Sequence, residues 1–370
     1  MAVSGSASNG VAVLGCGVVP SGIEMVRESM LRHEDMPAFV CSTELCGRLI
    51  PAATARRLGR VHKMALAAAK LAIDDSGVRP ADPARVAVSV GTGLGSQTET
   101  ADFLENMIRR DEAEPKPARF VNSVHNSVAS QLAICSGFGG ENHTFTHQSI
   151  SFELALWQAV HLLRSGRADY VLACGADELS PYLLSLTLSY RWRHSARQAA
   201  DAPDEGKRVP GEGYAAFILA KAGPDSRAAR IAALRVGPIN AGNRPILNPR
   251  HEADFIDKTV RTAGLSIGEV DFVLTGISGD AHEDAVYGDV LNAVTAAAGR
   301  PVRYGRYKHL CGDYCTASAF GLAAAVRAVR EGRVPQELGL PSNASMERPV
   351  SNVLLYNVSR MGHSACLVTQ

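Results

Sequence analysis

Gly140-Glu-Asn-His-Thr-Phe-Thr-His-Gln-Ser149-Ile-Ser-Phe-Glu-Leu154 runs into an apolar stretch and then into Arg164-Ser-Gly-Arg-Ala-Asp-Tyr-Val-Leu-Ala-Cys-Gly-Ala-Asp177. Residues 144–146 are rich in strand formers. Leu154, Trp157, Val160, His161, Leu163 and Arg164 follow helical spacing, and 170–174 is a short apolar run closed by Gly175. The order is strand, tight turn, helix, loop, strand. A group in that turn sits at a helix N-terminus, where free backbone N–H groups stabilise negative charge. Such a turn is a natural seat for an acyl-transfer nucleophile, and here Gln148 and Ser149 occupy it.

Outward from this unit, the chain has 370 residues, 46% of them hydrophobic, enough for two packed domains or one duplicated domain. Lys+Arg 38 against Asp+Glu 37 leaves +1, so no global field marks nucleic acid or membrane as a partner. No apolar run approaches spanning length, and the first ten residues lack the basic and apolar regions of a secretion signal. Cys41 with Cys46 and Cys311 with Cys315 are the close cysteine pairs, without the matching second pair of a zinc site. Buried free thiols, no metal and a soluble cytoplasmic protein are therefore expected.

A strand over 11–14 ends in the Gly-Cys-Gly of residues 15–17, and 25–51 reads as irregular. A long helix closes at Asp74-Asp75-Ser-Gly77, and the strand 86–90 runs into Gly91-Thr-Gly-Leu-Gly95. That glycine pattern lacks the spacing and distant acid of a dinucleotide site, so a tight strand-to-helix turn is the reading. A helix over 98–110 follows, then a strand entry at Phe120 leading to a helix, and 178–214 is mostly loop. Beyond a crossover at 226–230 the alternation repeats. Strands fall at 231–236, 272–274, 302–304, 353–358 and 365–368, with helices at 254–263, 284–297 and 316–330. Alternation of this kind implies parallel-rich sheets covered on both faces.

The turn unit resembles the active-site segment of the β-ketoacyl-acyl-carrier-protein synthases, the condensing enzymes with a thiolase-like fold. In that family the turn carries a cysteine nine residues after a glycine equivalent to Gly140 and seventeen before one equivalent to Gly166. Both counts end on Ser149. The resemblance extends over almost the whole chain, including the order from the 56–77 helix to "VSVGTGLGS" and the Gly-Glu-Gly turn at 211–213. It implies an α/β protein, a duplicated α-β-α-β-α sandwich with halves at 1–225 and 226–370.

The family's chemistry needs a cysteine that carries the acyl chain and two histidines that hold the malonyl thioester and stabilise its enolate. At the cysteine position Ser149 is a weak nucleophile that would need a paired base, and His147, two residues away, is read as pointing away from the turn. The first histidine, in an Asn-Ala-His-Gly-Thr turn, is matched by Ser278, with His282 four residues on as a surface histidine or a shifted substitute. The second, in Gly-His-x-x-Gly, is matched by His309 and Gly312 in "YKHLCGDYCTASAF", which resembles the ketosynthase-like proteins of polyene clusters. His309 is read either as touching a thioester or partner, or as a buried hydrogen-bonded residue. The Gly-Phe-Gly-Gly gating loop is replaced by Asn357-Val-Ser-Arg-Met-Gly-His363.

This set of losses resembles the chain-length factor of type II polyketide synthases, a catalytically inactive subunit paired with an active ketosynthase whose acyl tunnel it closes. On that resemblance no catalytic residue is expected. Thr100, Phe103, Leu104 and Met107, on one face of the helix after Gly95, would set tunnel length or else be ordinary core residues. No cofactor is implied beyond the phosphopantetheine of an acyl carrier protein, which would meet Arg56, Arg57, Arg60, or Arg191 and Arg193. Two rivals stand beside it. One is an acyltransferase or priming enzyme using Ser149 with His309 or His282. The other is a malonyl-carrier decarboxylating initiation subunit using Gln148. Pairing with a ketosynthase or with a second copy is left open.

Overall fold

A computed structural model describes residues 2–3, 10–27, 35–111, 117–186, 208–223, 228–238, 248–339, 349–359 and 362–370. Its strands are β1 (Ala2–Val3), β2 (Val11–Val18), β3 (Ser21–Arg27), β4 (Asp35–Cys41), β5 (Val86–Gly91), β6 (Asn142–Phe145), β7 (Tyr170–Asp177), β8 (Gly213–Lys221), β9 (Arg230–Pro238), β10 (Phe272–Thr275), β11 (Tyr304–Arg306), β12 (Asn352–Val358) and β13 (Gly362–Thr369).

β7 shows why the strands read as apolar runs. Val171 and Ala173 face one hydrophobic core, while Leu172, Cys174 and Ala176 face another, so both sides of the strand are buried. The first sheet runs β6-β5-β7-β8-β2 and the second β11-β10-β12-β13-β9, the same order twice by position in each half. The halves join where β2 pairs with β9 through two residue pairs, Val11↔Ile231 and Ala12↔Arg230.

The helices Arg60–Ser76 and Ser127–Ser136 cover the outer face of the first sheet, and Pro249–Thr262 and Ala281–Ala298 that of the second. Between the sheets lie Ser151–Arg164 and Ser318–Glu331, packed into a shared central core. The outcome is the expected five-layered α-β-α-β-α sandwich. The expected boundary at 225/226 lies outside the described residues.

Several local expectations are corrected. The pairings are half parallel and half antiparallel rather than parallel-rich: β5 is parallel to β6 and β7, but β7–β8 and β8–β2 are antiparallel, and the second half repeats this. The Gly-Cys-Gly at 15–17 is not a turn but part of β2. A Cβ at Gly15 would stand 2.0 Å from the Ala72 carbonyl oxygen, and one at Gly17 2.2 Å from that of Ala68. Glycine there lets the Arg60–Ser76 helix lie directly on the strand. The stretch read as irregular contains the β3–β4 hairpin, hidden because Pro37 argues against a strand; the hairpin is a separate two-stranded sheet, where proline is tolerated. Phe120 belongs to a helix, Pro117–Ser123, not to a strand entry.

Candidate functional site

β6 leads into the turn through His147, a single 3-10 turn at Gln148–Ile150, and then the Ser151–Arg164 helix. Gln148 has φ +46°, a left-handed conformation that costs a non-glycine residue on the order of 1 kcal/mol. Ser151 ties the turn to the helix: its Oγ donates to the Gln148 carbonyl at 2.7 Å and accepts from the His147 N–H at 2.8 Å. The Ser149 Oγ lies 2.6 Å from the Ser359 Oγ, so its hydroxyl partner is another serine rather than a histidine.

From Ser359 a chain of contacts runs inward along the end of β12. The Tyr287 hydroxyl accepts from the Val358 N–H at 3.0 Å and lies 3.2 Å from its carbonyl. The Tyr307 hydroxyl donates to Asn357 Oδ1 at 2.5 Å. Asn357 Nδ2 and Ser364 Oγ reach Glu153 Oε1 at 3.4 and 3.2 Å. Glu153 sits one helical turn beyond Ser149, buried, with Oε2 left without a partner. Burial pushes its carboxyl up to about 7, against hydrogen bonds from its own backbone, Ser318 and Ser364.

Gly276 closes this cluster from the end of β10. A Cβ there would meet Tyr287 Oη at 2.6 Å, Asn357 Oδ1 at 2.7 Å and Tyr307 Oη at 3.3 Å. Gly276→Ala should therefore destabilise the chain by about 1–3 kcal/mol through overpacking. Urea unfolding measures it, and an unchanged midpoint would mean the tyrosines move aside freely.

Lys308 and Asp313 form the remaining charged pair. Lys308 Nζ lies 2.7 Å from Asp313 Oδ1, and Arg208 Nε donates to Asp313 Oδ2. Burial opposes ionisation of all three, but the two cations outweigh it and hold the Asp313 carboxyl below its ordinary value. Neither carboxylate oxygen is free. Asp177 anchors the same segment, accepting from the Gly93 N–H at 2.7 Å and the Thr316 N–H at 2.8 Å. The Gly91–Gly95 turn thus has a structural use. Among the described residues, no cluster of histidine, cysteine and acidic groups has metal-holding geometry.

Residues 48–223 match the β-ketoacyl synthase, N-terminal domain, family model. That stretch carries the chain's likeness to the β-ketoacyl synthases. The chloroplastic 3-oxoacyl-[acyl-carrier-protein] synthase I of Arabidopsis thaliana is 23% identical over 303 residues, covering 75% of this chain and 62% of that protein. The chain thus spans less than two thirds of that relative's length. The tetracenomycin polyketide synthase ketoacyl synthase beta subunit of Streptomyces glaucescens is 26% identical over 324 residues, 82% of this chain and 75% of its own. The ishigamide ketosynthase/chain length factor superposes with a TM-score of 0.78 at 20% identity, over 98% of this chain and 99% of that one. That likeness shows the thiolase-like ketosynthase fold.

Against the ketosynthase pattern, several site expectations change place. His309 is exposed, and its Nε2 donates to the Glu337 carbonyl at 2.7 Å, away from the cluster. Its inward neighbour is Lys308. Read as Gly-His-x-x-Gly, the segment Gly312-Asp313-x-x-Thr316 puts Asp313 at the histidine, and the single retained glycine was the available signal. Ser278 likewise stands outside: its N–H and that of Gly279 donate to the Asp284 carboxylate, both at 2.9 Å, in the entry to the Ala281–Ala298 helix. The turn residue facing the cluster is Gly276, directly after β10. The His282 side chain lies outside the described residues, as do Arg191 and Arg193.

The helix Gln97–Arg109 has no buried residue, so its members are not ordinary core. Phe103 packs its ring 5.5 Å from that of Phe120, and Leu104 is 51% exposed. Thr100 turns back, its hydroxyl 2.8 Å from the Ser96 carbonyl. Met107 is half-buried on the same face. Arg56 and Arg57 are exposed, whereas Arg60 turns inward to pair with buried Glu212 and to donate to the Cys41 carbonyl at 2.8 Å. All eight cysteines are free, and burial pushes the thiols of Cys174, Cys311 and Cys366 up to about 12.

Proposed function

We propose that this chain is the chain-length factor of a type II polyketide synthase, a ketosynthase-like subunit without condensing activity that pairs with an active ketosynthase and limits its acyl tunnel. One observation carries the reading. In the space facing the Ser149 turn, Ser359 bonds to Ser149 while Tyr307, Asn357 and Glu153 bond in sequence, with glycine at 276 and no room for a histidine there. A serine bonded to a serine has no base to activate it. Asp313, fixed by Lys308 and Arg208, offers no proton donor for an enolate.

Two surfaces support the pairing. β6 is an edge strand of its sheet, and Leu104, Ile108, Phe120 and Val121 stand 51–79% exposed on the helices Gln97–Arg109 and Pro117–Ser123. The ishigamide structure is of a ketosynthase with its chain length factor, which suits the same assembly. The acyl and malonyl groups would arrive on the phosphopantetheine of an acyl carrier protein, in the cytoplasm, with no cofactor held by this chain. Arg56 and Lys63 line an open cleft of about 350 Å³ with Ile50 and Ala52, a basic rim suited to an acidic carrier. Arg57 lies beside it, while Arg60 is occupied by Glu212. The "YKHLCGDY" likeness favours a polyene product.

Ser149→Ala, co-expressed with a partner ketosynthase, should leave elongation of carrier-bound malonate unchanged. Loss of turnover in that variant would make the chain an enzyme and defeat the reading.

A further inference from the structure

The central helix Ser151–Arg164 is not covered all round. Trp157, His161 and Arg164 follow one another at i, i+4 and i+7 along one stripe, with Trp157 and His161 stacked at 5.8 Å and 7°. The Arg164 Nε and Nη1 atoms are closed to solvent and donate to nothing, and the Trp157 Nε1 is in the same state. Burial lowers the Arg164 pKa, with no acid among the described residues near enough to offset it. Thr144 on β6 adds a fourth buried atom without a partner. Arg164 is half-buried, yet two of its three guanidinium nitrogens are closed off without an acceptor, and native chains retain few such groups without a use.

We infer that the Trp157–Arg164 stripe receives a carboxylate side chain from the partner subunit, an aspartate or glutamate of the ketosynthase that covers β6 and this helix. The inference rests on the pairing proposed above and names its charged contact. The occupant must accept hydrogen bonds, carry negative charge and arrive with a surface that excludes water. A lipid surface does not fit, because the neighbouring β6 edge offers backbone groups that need hydrogen-bonding partners. A protein carboxylate flanked by a strand edge meets every condition, and the chain also exposes Leu104, Ile108 and Phe120, apolar side chains of the kind a partner covers.

The test compares Arg164→Met, Arg164→Lys and Phe120→Asp, each as the free chain and with a partner ketosynthase. In the free chain Arg164→Met should raise the melting temperature, since it removes an uncompensated charge. In the pair it should weaken association by at least about tenfold and flatten its salt dependence, with Arg164→Lys between. Opposite signs in the two states are the signature. If Arg164→Met lowers the free chain's melting temperature and leaves association intact, Arg164 is an internal structural residue and the inference is wrong. If Phe120→Asp abolishes pairing while Arg164→Met does not, only the charged contact fails. If the wild-type chain binds no ketosynthase, or forms dimers with itself alone, the pairing reading falls and this inference with it.

Discussion

Glu153→Gln should raise the melting temperature by about 4 °C at pH 8 and by about 1 °C at pH 5. The wild-type carboxyl is held at about 7 when folded and returns to about 4.5 when unfolded, so the folded state grips the proton more tightly. Below pH 4.5 both states are protonated and the group is neutral to stability. As pH rises from 4.5 to 7 the unfolded chain releases its proton first, and stability falls by roughly 1.4 kcal/mol per unit. Above 7 the folded state releases it too, and the loss levels off at about 3 kcal/mol. An unfolding entropy of about 2 cal/mol/K per residue converts that to the 4 °C. Glutamine keeps an acceptor for Asn357 and Ser364 and carries no charge at any pH, so the slope disappears. Calorimetry at the two pH values decides it. An equal fall between pH 5 and 8 in both proteins would place the titrating group elsewhere.

Phe103→Ala should lengthen the polyketide made by the assembled pair by at least one two-carbon unit. The Phe103 ring packs 5.5 Å from Phe120 on a helix pair that presents its apolar residues outward. Where these rings close the far end of a partner's tunnel, their bulk sets the last extension that fits, since packed interiors do not yield to an added unit without strain. Leu104→Trp should act in the opposite sense. Mass spectrometry of the released products gives both answers, and identical length distributions in all three proteins would remove this helix from the role of ruler.

The sandwich was legible because strands buried on both faces write continuous apolar runs, and 170–174 and 353–358 do so in both halves. The β3–β4 hairpin was hidden by Pro37, and β2 was cut short because close helix approach and turning both call for glycine. The nucleophile turn was found by spacing alone, which survives substitution. The histidine positions were harder, because a lost side chain leaves nothing to align. His309 attracted the match by residue type while its neighbours Lys308 and Asp313 hold the interior. Glu153 carried no signal at all: a lone glutamate in a helix reads as solvated until the packing places it.

Gly276 also bears on what a single substitution can restore. On the proposed reading, two tyrosine hydroxyls and an amide fill the room that an acid–base group would need. Ser149→Cys would put a thiol in the turn, facing Ser359. A histidine at 276 would first collide with Tyr287, Tyr307 and Asn357. On the proposed reading, then, neither single change restores an acid–base pair: one leaves the thiol without a base, and the other must first displace Tyr287, Tyr307 and Asn357.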